Sequence, residues 1–199
     1  MNISIVLIFI IMYCLCMFNP AIEMCKKKTG ADLRRLGSMD ASTNNAIKVL
    51  GRLLGALVIA GNILKIVISF YIAKLIAGWI NIDVATTAFK SAVILGCMIG
   101  HCFPAIYKFN GGKGTLEFIT LMALLSPKYV LVCVASGLVI LAITRVVAKG
   151  TLAGCVLYLI LSVIIGCDYL PALAISLAII LYRHRENIQR IMNKQEETI

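Results

Sequence analysis

Charged residues are scarce in this chain: Asp, Glu, Lys and Arg together make up 14% of it, whereas hydrophobic residues make up 61%. A mean hydropathy of +0.97 lies far outside the range of soluble domains. This composition excludes an ordinary water-soluble domain. At roughly 20 apolar residues per membrane-spanning helix, a chain of this length holds about seven crossings and leaves no room for a separate soluble domain.

The sequence also lacks the signatures of several kinds of site. Its eight cysteines form no C-x-x-C pair and lie mostly in apolar stretches, where cysteine acts as a small hydrophobe. We therefore predict no disulfide and no metal site. The formal charge of +10 comes from dispersed basic residues with no interleaved aromatic residues and no recognisable nucleic-acid module. This pattern argues against a nucleic-acid partner.

Apolar runs separated by turn or charge signals fill most of the chain, without an internal repeat. They cover residues 3–18, 53–80, 87–106, 115–126, 129–147, 151–167 and 169–182. The pattern predicts an all-α integral membrane protein of about seven transmembrane helices, forming a single domain over residues 1–199. Run 115–126 is short, since about 12 residues span roughly 18 Å of a core of about 30 Å. Either the preceding loop completes this run, or the run starts below the membrane surface and buries that loop.

The distribution of basic residues predicts how the chain is oriented. If the N-terminus lies outside, the segments 24–52, 107–114, 144–150 and the tail from 183 face the cytoplasm and hold 15 Lys and Arg residues. The external loops then hold only Lys128. This is the bias of the positive-inside rule, so we expect the N-terminus outside and the C-terminus in the cytoplasm. Residues 3–18 lack a basic n-region and an A-x-A-like cleavage site, which predicts an uncleaved first helix anchored by residues 26–28.

A glycine-rich segment on the predicted cytoplasmic side is the first candidate functional region. It reads GHCFPAIYKFNGGKG over residues 100–114 and ends in Gly111, Gly112, Lys113 and Gly114. Glycines let a backbone approach a ligand closely. Successive N–H groups, a helix N-terminus and one lysine form an anion cradle suited to phosphate. The residues alone leave a flexible turn as an equal alternative, and the spacing is not that of a Walker loop.

Two more polar segments lie on the same predicted side. The tail from Arg183 places His184, Asn187 and Arg190 on one helical face, either as a ligand-binding face or as a basic topology anchor. The loop between residues 34 and 52 is rich in small hydroxyl and amide residues, which are equally suited to cap a helix or to bind phosphate and glycerol oxygens. The chain's two histidines, His101 and His184, fall within these regions, and neither has an obvious carboxylate partner.

Together these three segments resemble the motifs of the acyl-phosphate:glycerol-3-phosphate acyltransferase (PlsY) family over essentially the whole chain. Residues 100–114 are similar, without a gap, to that family's G-H-x-F-P-x-x-x-x-F-x-G-G-K-G. Residues 183–196 are similar to R-H-x-x-N-I-x-R-L-x-x-G-x-E. Residues 38–48 resemble S-G-N-x-G-A-T-N-x-x-R less closely, because lysine replaces the arginine at 48 and Met39 and Ser42 replace two glycines.

Other positions depart from the family pattern. Asn62 stands for the aspartate of a D-x-x-K-G segment, Thr115-Leu116-Glu117 stands where the family has V-A-T, Lys194 replaces a tail glycine, and Phe18-Asn19-Pro20 replaces G-S-x-P. Glu117 falls about one turn after the glycine-rich loop, where a carboxylate competes with phosphate for Lys113 unless it is paired, for example with Lys48 or Arg190, or faces away. We therefore expect Glu117→Thr to raise the affinity for glycerol 3-phosphate.

The resemblance implies a seven-helix protein of the bacterial cell membrane with its active site on the cytoplasmic side. It implies transfer of a fatty acyl group from acyl phosphate to the 1-hydroxyl of sn-glycerol 3-phosphate, giving lysophosphatidic acid and phosphate, the first step of phospholipid synthesis. It also implies no metal and no other cofactor. Membrane lipid is the remaining partner, since lipid-facing grooves would accept the acyl chain.

The resemblance also assigns roles to residues of this chain. The catalytic group comprises Ser38, Lys48, Lys113, His184 and Asn187. The substrate- and phosphate-binding group comprises Asn45, His101, Gly111, Gly112, Gly114 and Arg183. Catalysis would work chiefly by positioning and electrostatic stabilisation, with a substrate phosphate taking the proton of the attacking hydroxyl.

Three alternatives stay open at this point. A divergent paralogue with weak or altered acyl transfer is favoured by the losses in residues 38–48. An anion transporter, with Lys65, Lys74 and Lys90 along its path, lacks the inverted repeats common in that class. A CDP-alcohol phosphotransferase would need metal-binding aspartates that have no counterpart in this sequence.

Overall fold

The computed structural model describes residues 3–198, and within that range the ordered elements are all helices. They are α1 (Ile3–Cys16), α2 (Pro20–Thr29), α3 (Thr43–Leu50), α4 (Arg52–Trp79), α5 (Thr87–Cys102), α6 (Thr115–Leu125), α7 (Pro127–Thr144), α8 (Val147–Ile164), α9 (Leu170–Arg183) and α10 (Arg185–Met192). Short 3₁₀ turns cover Leu33–Arg35 and Ala105–Tyr107. Met1, on which the predicted position of the N-terminus depends, lies outside the described residues.

Each predicted apolar run coincides with a helix, although several boundaries differ. The first run ends earlier because the Asn19 side chain accepts from the backbone N–H groups of residues 21 and 22 and Pro20 starts a new helix. Arg145 adopts a left-handed conformation with φ of 55° and ends α7. Helix α8 therefore begins at Val147, and residues 147–150, predicted as loop, form its first turn.

Five stretches of the described chain are long and apolar enough to cross a membrane. These are Ile3–Thr29, Arg52–Trp79, Thr87–Tyr107, Pro127–Thr144 and Val147–Ile164. Helices α6 and α9, with 11 and 14 residues, are apolar but shorter. Large apolar side chains such as Leu131 and Ile143, 75% and 77% exposed, point outward. Such a surface fits lipid as the surrounding solvent, and the chain is a multi-pass membrane protein.

Two glycines of α5 bring it against the backbone of α1. A Cβ atom on Gly96 would lie 2.6 Å from the carbonyl oxygen of Phe9, and one on Gly100 would lie 2.5 Å from that of Tyr13. Small residues four apart on a helix permit this close approach in membranes. The contact fixes the C-terminal end of α5, which carries His101 into the glycine-rich segment.

Candidate active site

The glycine-rich loop folds back onto the end of α5. The backbone N–H of Gly111 donates to the carbonyl oxygen of Cys102 (3.2 Å), and that of Gly112 donates to the carbonyl oxygen of His101 (3.1 Å). A Cβ atom at either glycine would come within 2.1 Å of His101. Side chains are therefore excluded at both positions, and both glycines are buried. The depth of this loop below the membrane surface, one of the two alternatives for the short run 115–126, stays a prediction.

This arrangement changes the expected role of the loop backbone. Because the N–H groups of Gly111 and Gly112 are already hydrogen-bonded within the protein, they do not form the free cradle that the sequence suggested. The first turn of α6, which follows Gly114 at φ of 82°, supplies N–H groups without partners in the helix. The donors of this segment that are left for a ligand are thus Lys113 and the N–H groups at the start of α6.

Arg183 holds the loop from the end of α9. Its Nε donates to the carbonyl oxygen of Gly112 (3.0 Å), and its Nη2 donates to the carbonyl oxygen of Gly111 and to Oδ1 of Asn110 (3.1 Å). All of these contacts are to loop oxygens. They support a positioning role for Arg183, whose guanidinium fixes the loop that carries Lys113.

Lys113 is where the three polar segments meet. Its Nζ lies 2.6 Å from Oδ2 of Asp40 and donates to Oδ1 of Asn187 at 2.7 Å. The amide of Asn187 donates in turn to Oε1 of Glu196 at 2.6 Å, while Arg190 Nε donates to Oε2 of that same carboxylate at 2.7 Å. Side chains from residues 40, 113 and 187 therefore converge on one ammonium group.

Asp40 accepts several hydrogen bonds besides the ion pair with Lys113. Ser42 donates to Oδ1 from its hydroxyl (2.5 Å) and its backbone N–H (3.0 Å), and Ser38 donates from its hydroxyl to Oδ2 (3.3 Å). Burial by itself would raise the pKa of Asp40, but the charge of Lys113 and the hydrogen bonds from Ser42 together hold it below its ordinary value. Asp40 is therefore ionised at neutral pH.

Asn45 and Ser42 shape the loop between residues 33 and 42. The buried Asn45 amide donates to the carbonyl oxygens of Leu33 (3.3 Å), Leu36 (3.0 Å) and Asp40 (2.8 Å), and its Oδ1 accepts from the backbone N–H of Ser38. The Ser42 hydroxyl caps α3. Of the two uses considered for these residues, capping is thus present, and the glycerol contact of Asn45 stays a prediction.

His184 lies at the junction of α9 and α10 and is 4% exposed. Its Nδ1 lies 2.8 Å from the carbonyl oxygen of Ile180. Because a carbonyl oxygen only accepts, Nδ1 carries the proton and Nε2 is left as an acceptor. Burial lowers the pKa of His184 to about 4, so the ring is neutral at physiological pH.

A cavity of about 440 Å³ adjoins Lys113 and is lined by both polar and apolar side chains. Its polar lining, called its polar end below, includes Ser42, Asn44, Lys113, Asn187 and Glu196, and its apolar lining includes Ile47, Ile59, Leu116, Ile119 and Val147. His101 and Glu117 also line it. A polar recess of about 120 Å³ extends it past Ser38, Lys48 and Arg190. Lys48 there contacts Glu197. A larger groove of about 910 Å³ on α1, α2 and α4 contains none of the predicted site residues.

A buried charged cluster, which sequence reasoning missed, lies next to the same cavity. Glu117 Oε1 is 3.2 Å from Nε2 of His101 and 3.8 Å from Nζ of Lys65. Glu117 is therefore paired, with partners other than the Lys48 or Arg190 considered for it, and His101 does have a carboxylate neighbour. The expectation that Glu117 competes with phosphate for Lys113 assumed an unpaired carboxylate, so it no longer follows. The sequence carried one signal of this cluster, since Asn62 and Glu117 both depart from the family pattern.

Residues 6–194 match the protein family described as glycerol-3-phosphate acyltransferase. A glycerol-3-phosphate acyltransferase of Clostridioides difficile (strain 630) is 30% identical over 98% of this chain and 96% of its own length. One of Geobacillus kaustophilus (strain HTA426) is 32% identical over 85% of this chain and 83% of its own.

A solved structure has the same fold. The crystal structure of PlsY, an integral membrane glycerol 3-phosphate acyltransferase, in its glycerol 3-phosphate form, superposes with a TM-score of 0.86 at 27% sequence identity. The alignment covers 98% of this chain and 96% of that one. The similarity thus extends over the fold as well as the motifs.

Proposed function

Because the chain belongs to the glycerol-3-phosphate acyltransferase family, we propose that it transfers a fatty acyl group from acyl phosphate to the 1-hydroxyl of sn-glycerol 3-phosphate. The products are lysophosphatidic acid and inorganic phosphate. The observation that carries this proposal is the single cavity that is lined both by Lys113 with other polar side chains and by a set of apolar side chains. Acyl phosphate needs both kinds of surroundings, because its phosphate head is charged and its acyl chain is apolar.

The residue roles follow from the geometry at the polar end. Lys113 and the first turn of α6 bind one phosphate, and Lys48 and Arg190 in the adjoining recess bind the second. Asn187 holds the Lys113 ammonium in place by its 2.7 Å hydrogen bond. Ser38 lines the same recess and orients the glycerol, with Asn45 fixing the backbone of that loop.

The reaction itself is a displacement at the acyl carbonyl carbon. The glycerol hydroxyl oxygen attacks that carbon, the bond from the carbon to the phosphate oxygen breaks, and phosphate leaves with the bonding electrons. The departing phosphate takes the hydroxyl proton. Lysine charges stabilise the phosphate oxygens throughout, so catalysis works by positioning and electrostatics. His184, neutral with an acceptor at Nε2, orients a hydroxyl group without carrying charge into the site.

We also propose that residues 1–199 form one domain with seven crossings in a bacterial cell membrane. The five long spans and the shorter helices α6 and α9 supply the crossings. The N-terminus is then outside, and the loop with Lys113 and the C-terminus are on the cytoplasmic side. The excess of basic residues in the predicted cytoplasmic segments supports this orientation.

The decisive experiment supplies purified protein in detergent with glycerol 3-phosphate and, separately, acyl phosphate, acyl-CoA and acyl carrier protein loaded with the same acyl chain. Lysophosphatidic acid is expected with acyl phosphate alone. Product from a thioester donor would overturn the donor assignment. No product from any donor would favour the paralogue with altered transfer, the second candidate, for which the Asp40 carboxylate on Lys113 is the specific observation.

A further inference from the structure

We infer that Lys65 and Glu117 form a buried charge pair that positions His101, and through it the phosphate-binding loop. The inference rests on the proposed function, because it concerns how that site is held in shape. Glu117 thereby becomes a positioning residue. This positioning role of Glu117 does not depend on a charged residue within the glycine-rich loop.

The Lys65 ammonium is saturated by acceptors from three parts of the chain. It donates to the backbone carbonyl of Phe18 (3.1 Å) and to Oδ1 of Asn62 (3.2 Å), and it lies 3.0 Å from Nδ1 of His101. An ammonium group has three protons and accepts none. Nδ1 of His101 must therefore be the acceptor, which leaves the ring proton on Nε2.

That ring proton is on the nitrogen nearest Glu117. Oε1 of Glu117 lies 3.2 Å from Nε2, yet the two atoms do not form a hydrogen bond. Among residues 3–198, this is the one buried side-chain nitrogen or oxygen atom left without a hydrogen-bond partner. Attraction between its charge and that of Lys65, and not a hydrogen bond, therefore holds the Glu117 carboxylate in place.

The cluster is largely buried, although Lys65 borders the groove on α1, α2 and α4, and His101 and Glu117 border the cavity beside Lys113. Among residues 3–198, Glu117 is the one carboxylate in ion-pair contact with Lys65. The side chains of Lys65, His101 and Glu117 are 6%, 4% and 3% exposed. On its own helix Lys65 has only the neutral amide of Asn62 beside it, so Glu117 on α6 supplies the negative charge. A buried lysine without a counter-charge is strongly unfavourable, most of all within a membrane.

His101 transmits this pairing to the loop. Its carbonyl oxygen accepts from the N–H of Gly112 (3.1 Å), and its ring fills the space in which a Cβ atom at residue 112 would lie, 2.1 Å from Nε2. The loop residue after Gly112 is Lys113. A shift of the imidazole thus moves the ammonium group proposed to bind phosphate.

The test moves the carboxylate from α6 to α4. Glu117→Gln keeps the shape and removes the charge, and Asn62→Asp puts a carboxylate where Oδ1 already contacts Lys65. Glu117→Gln should raise the KM for glycerol 3-phosphate at least about tenfold, with a smaller change in kcat, because the site is misplaced. Asn62→Asp alone should also impair the enzyme, since it crowds two carboxylates around one lysine.

The double variant, Asn62→Asp with Glu117→Gln, should return to within about threefold of the wild-type KM, a difference below 1 kcal/mol. This reciprocal rescue is what a role in packing alone would not produce. Wild-type kinetics in Glu117→Gln would overturn the inference. A folded double variant no better than Glu117→Gln would overturn it too.

An activity-independent measurement separates this inference from the proposed function. Thermal unfolding in detergent, titrated with glycerol 3-phosphate and with inorganic phosphate, gives half-saturation concentrations for every variant even if no donor is used. These should follow the same order as the KM values. One outcome is that the wild-type protein makes no lysophosphatidic acid while the half-saturation concentrations of the variants still follow this order. In that case the proposed function fails, and the inferred role of the Lys65–Glu117 pair stands.

Asp168→Asn is the matched control. It removes the Lys90–Asp168 ion pair (3.1 Å), whose lysine lies on the same helix as His101, about 16 Å away along the axis. Phosphate half-saturation should be unchanged in this variant. An equal loss of phosphate affinity in Asp168→Asn would mean that a distant ion pair on the helix of His101 supports the site equally well. That result would overturn the specific role of Glu117.

Discussion

Asp40 and Lys113 form a 2.6 Å ion pair at the polar end of the cavity, and each side chain is only 15% exposed. The ammonium group proposed to bind phosphate therefore has a carboxylate beside it already. Substrate phosphate must share Lys113 with Asp40 or displace it. If Lys113 binds phosphate as proposed, the affinity for phosphate should depend on residue 40 as well as on residue 113.

Asp40→Asn should lower the KM for glycerol 3-phosphate. Removing the competing charge should be worth about threefold to tenfold, in line with an ion pair of roughly 1 kcal/mol. Initial rates at saturating acyl phosphate would measure it. Asp83→Asn, an exposed carboxylate in the loop between α4 and α5, is the control. A higher KM in Asp40→Asn would mean that this carboxylate instead holds Lys113 in its working position.

Two residues that replace family glycines, Met39 and Lys194, retain a glycine-like backbone. Met39 and Lys194 both adopt φ of 56°, a left-handed conformation that costs most side chains about 1–2 kcal/mol. Met39→Gly and Lys194→Gly should therefore raise the thermal midpoint slightly, since the gain exceeds the flexibility cost by under about 1 kcal/mol. We also expect Met39→Gly combined with Asp40→Asn to raise turnover.

Ser42→Gly provides the contrast, because Ser42 has an ordinary φ of −82° and caps α3 while donating to Asp40. This change should lower the thermal midpoint. If all three glycine variants shifted the midpoint in the same direction, backbone strain would not be the explanation.

Lys113→Ala should abolish acyl transfer or raise the KM for glycerol 3-phosphate at least about tenfold, the value of one charged hydrogen bond. Lys108→Ala removes the same charge from an exposed position in the same segment and should leave the kinetics unchanged. Expression and membrane insertion should be normal in both variants. Equal kinetics for the two would remove Lys113 from the site.

His184 should make the protein sensitive to mild acid. With its pKa lowered to about 4 by burial, the folded chain excludes a proton that the unfolded chain binds below about 6.5. Stability should thus fall as the pH drops from about 6.5 to 4, by up to roughly 3 kcal/mol, and should stay level above that range.

Thermal midpoints from pH 7.5 to 4.5 would measure this effect. The nearby charges of Lys113, Asp40 and Glu196 also face His184, so the comparison is with His184→Asn, in which they remain. A slope with pH that is as steep in His184→Asn as in the wild-type protein would assign the acid sensitivity to other groups.

The proposed topology places residues 128 and 185 on opposite sides of the membrane. Lys128→Cys and Arg185→Cys should react with an impermeant thiol reagent from opposite faces. Cys14 and Cys167 must first be replaced, because the other six cysteines are buried. Labelling of both new cysteines from one side would contradict the seven crossings and the shared site together.

Much of the fold was predictable because apolar runs of sufficient length become helices in lipid whatever their detailed sequence. Local chemistry was harder to place: neither the break at Asn19-Pro20 nor the reversal at Arg145 interrupts hydropathy strongly. The resemblance placed the three polar segments in one site, but it did not single out Lys113 as the point where they meet. Nor did it indicate the ion pair between Lys113 and Asp40, because contacts between residues 73 positions apart depend on packing that no local pattern encodes.

The buried cluster shows the same limit more clearly. Asn62, Lys65, His101 and Glu117 lie on three helices, and each alone is an isolated polar residue in an apolar sequence. Only the fold reveals that a carboxylate on α6 faces a lysine on α4. The sequence indicated the two unusual positions, but not that they are neighbours.

The hydrogen bond between Lys113 and Asn187 also determines when the site can first exist during synthesis. Residues 40 and 113 are synthesised early, whereas α10 and Glu196 are made last among the groups that close the polar end. A nascent chain that has not reached this segment holds a cavity with one side open. Translation must therefore run past residue 196 before the newly inserted protein can consume substrate.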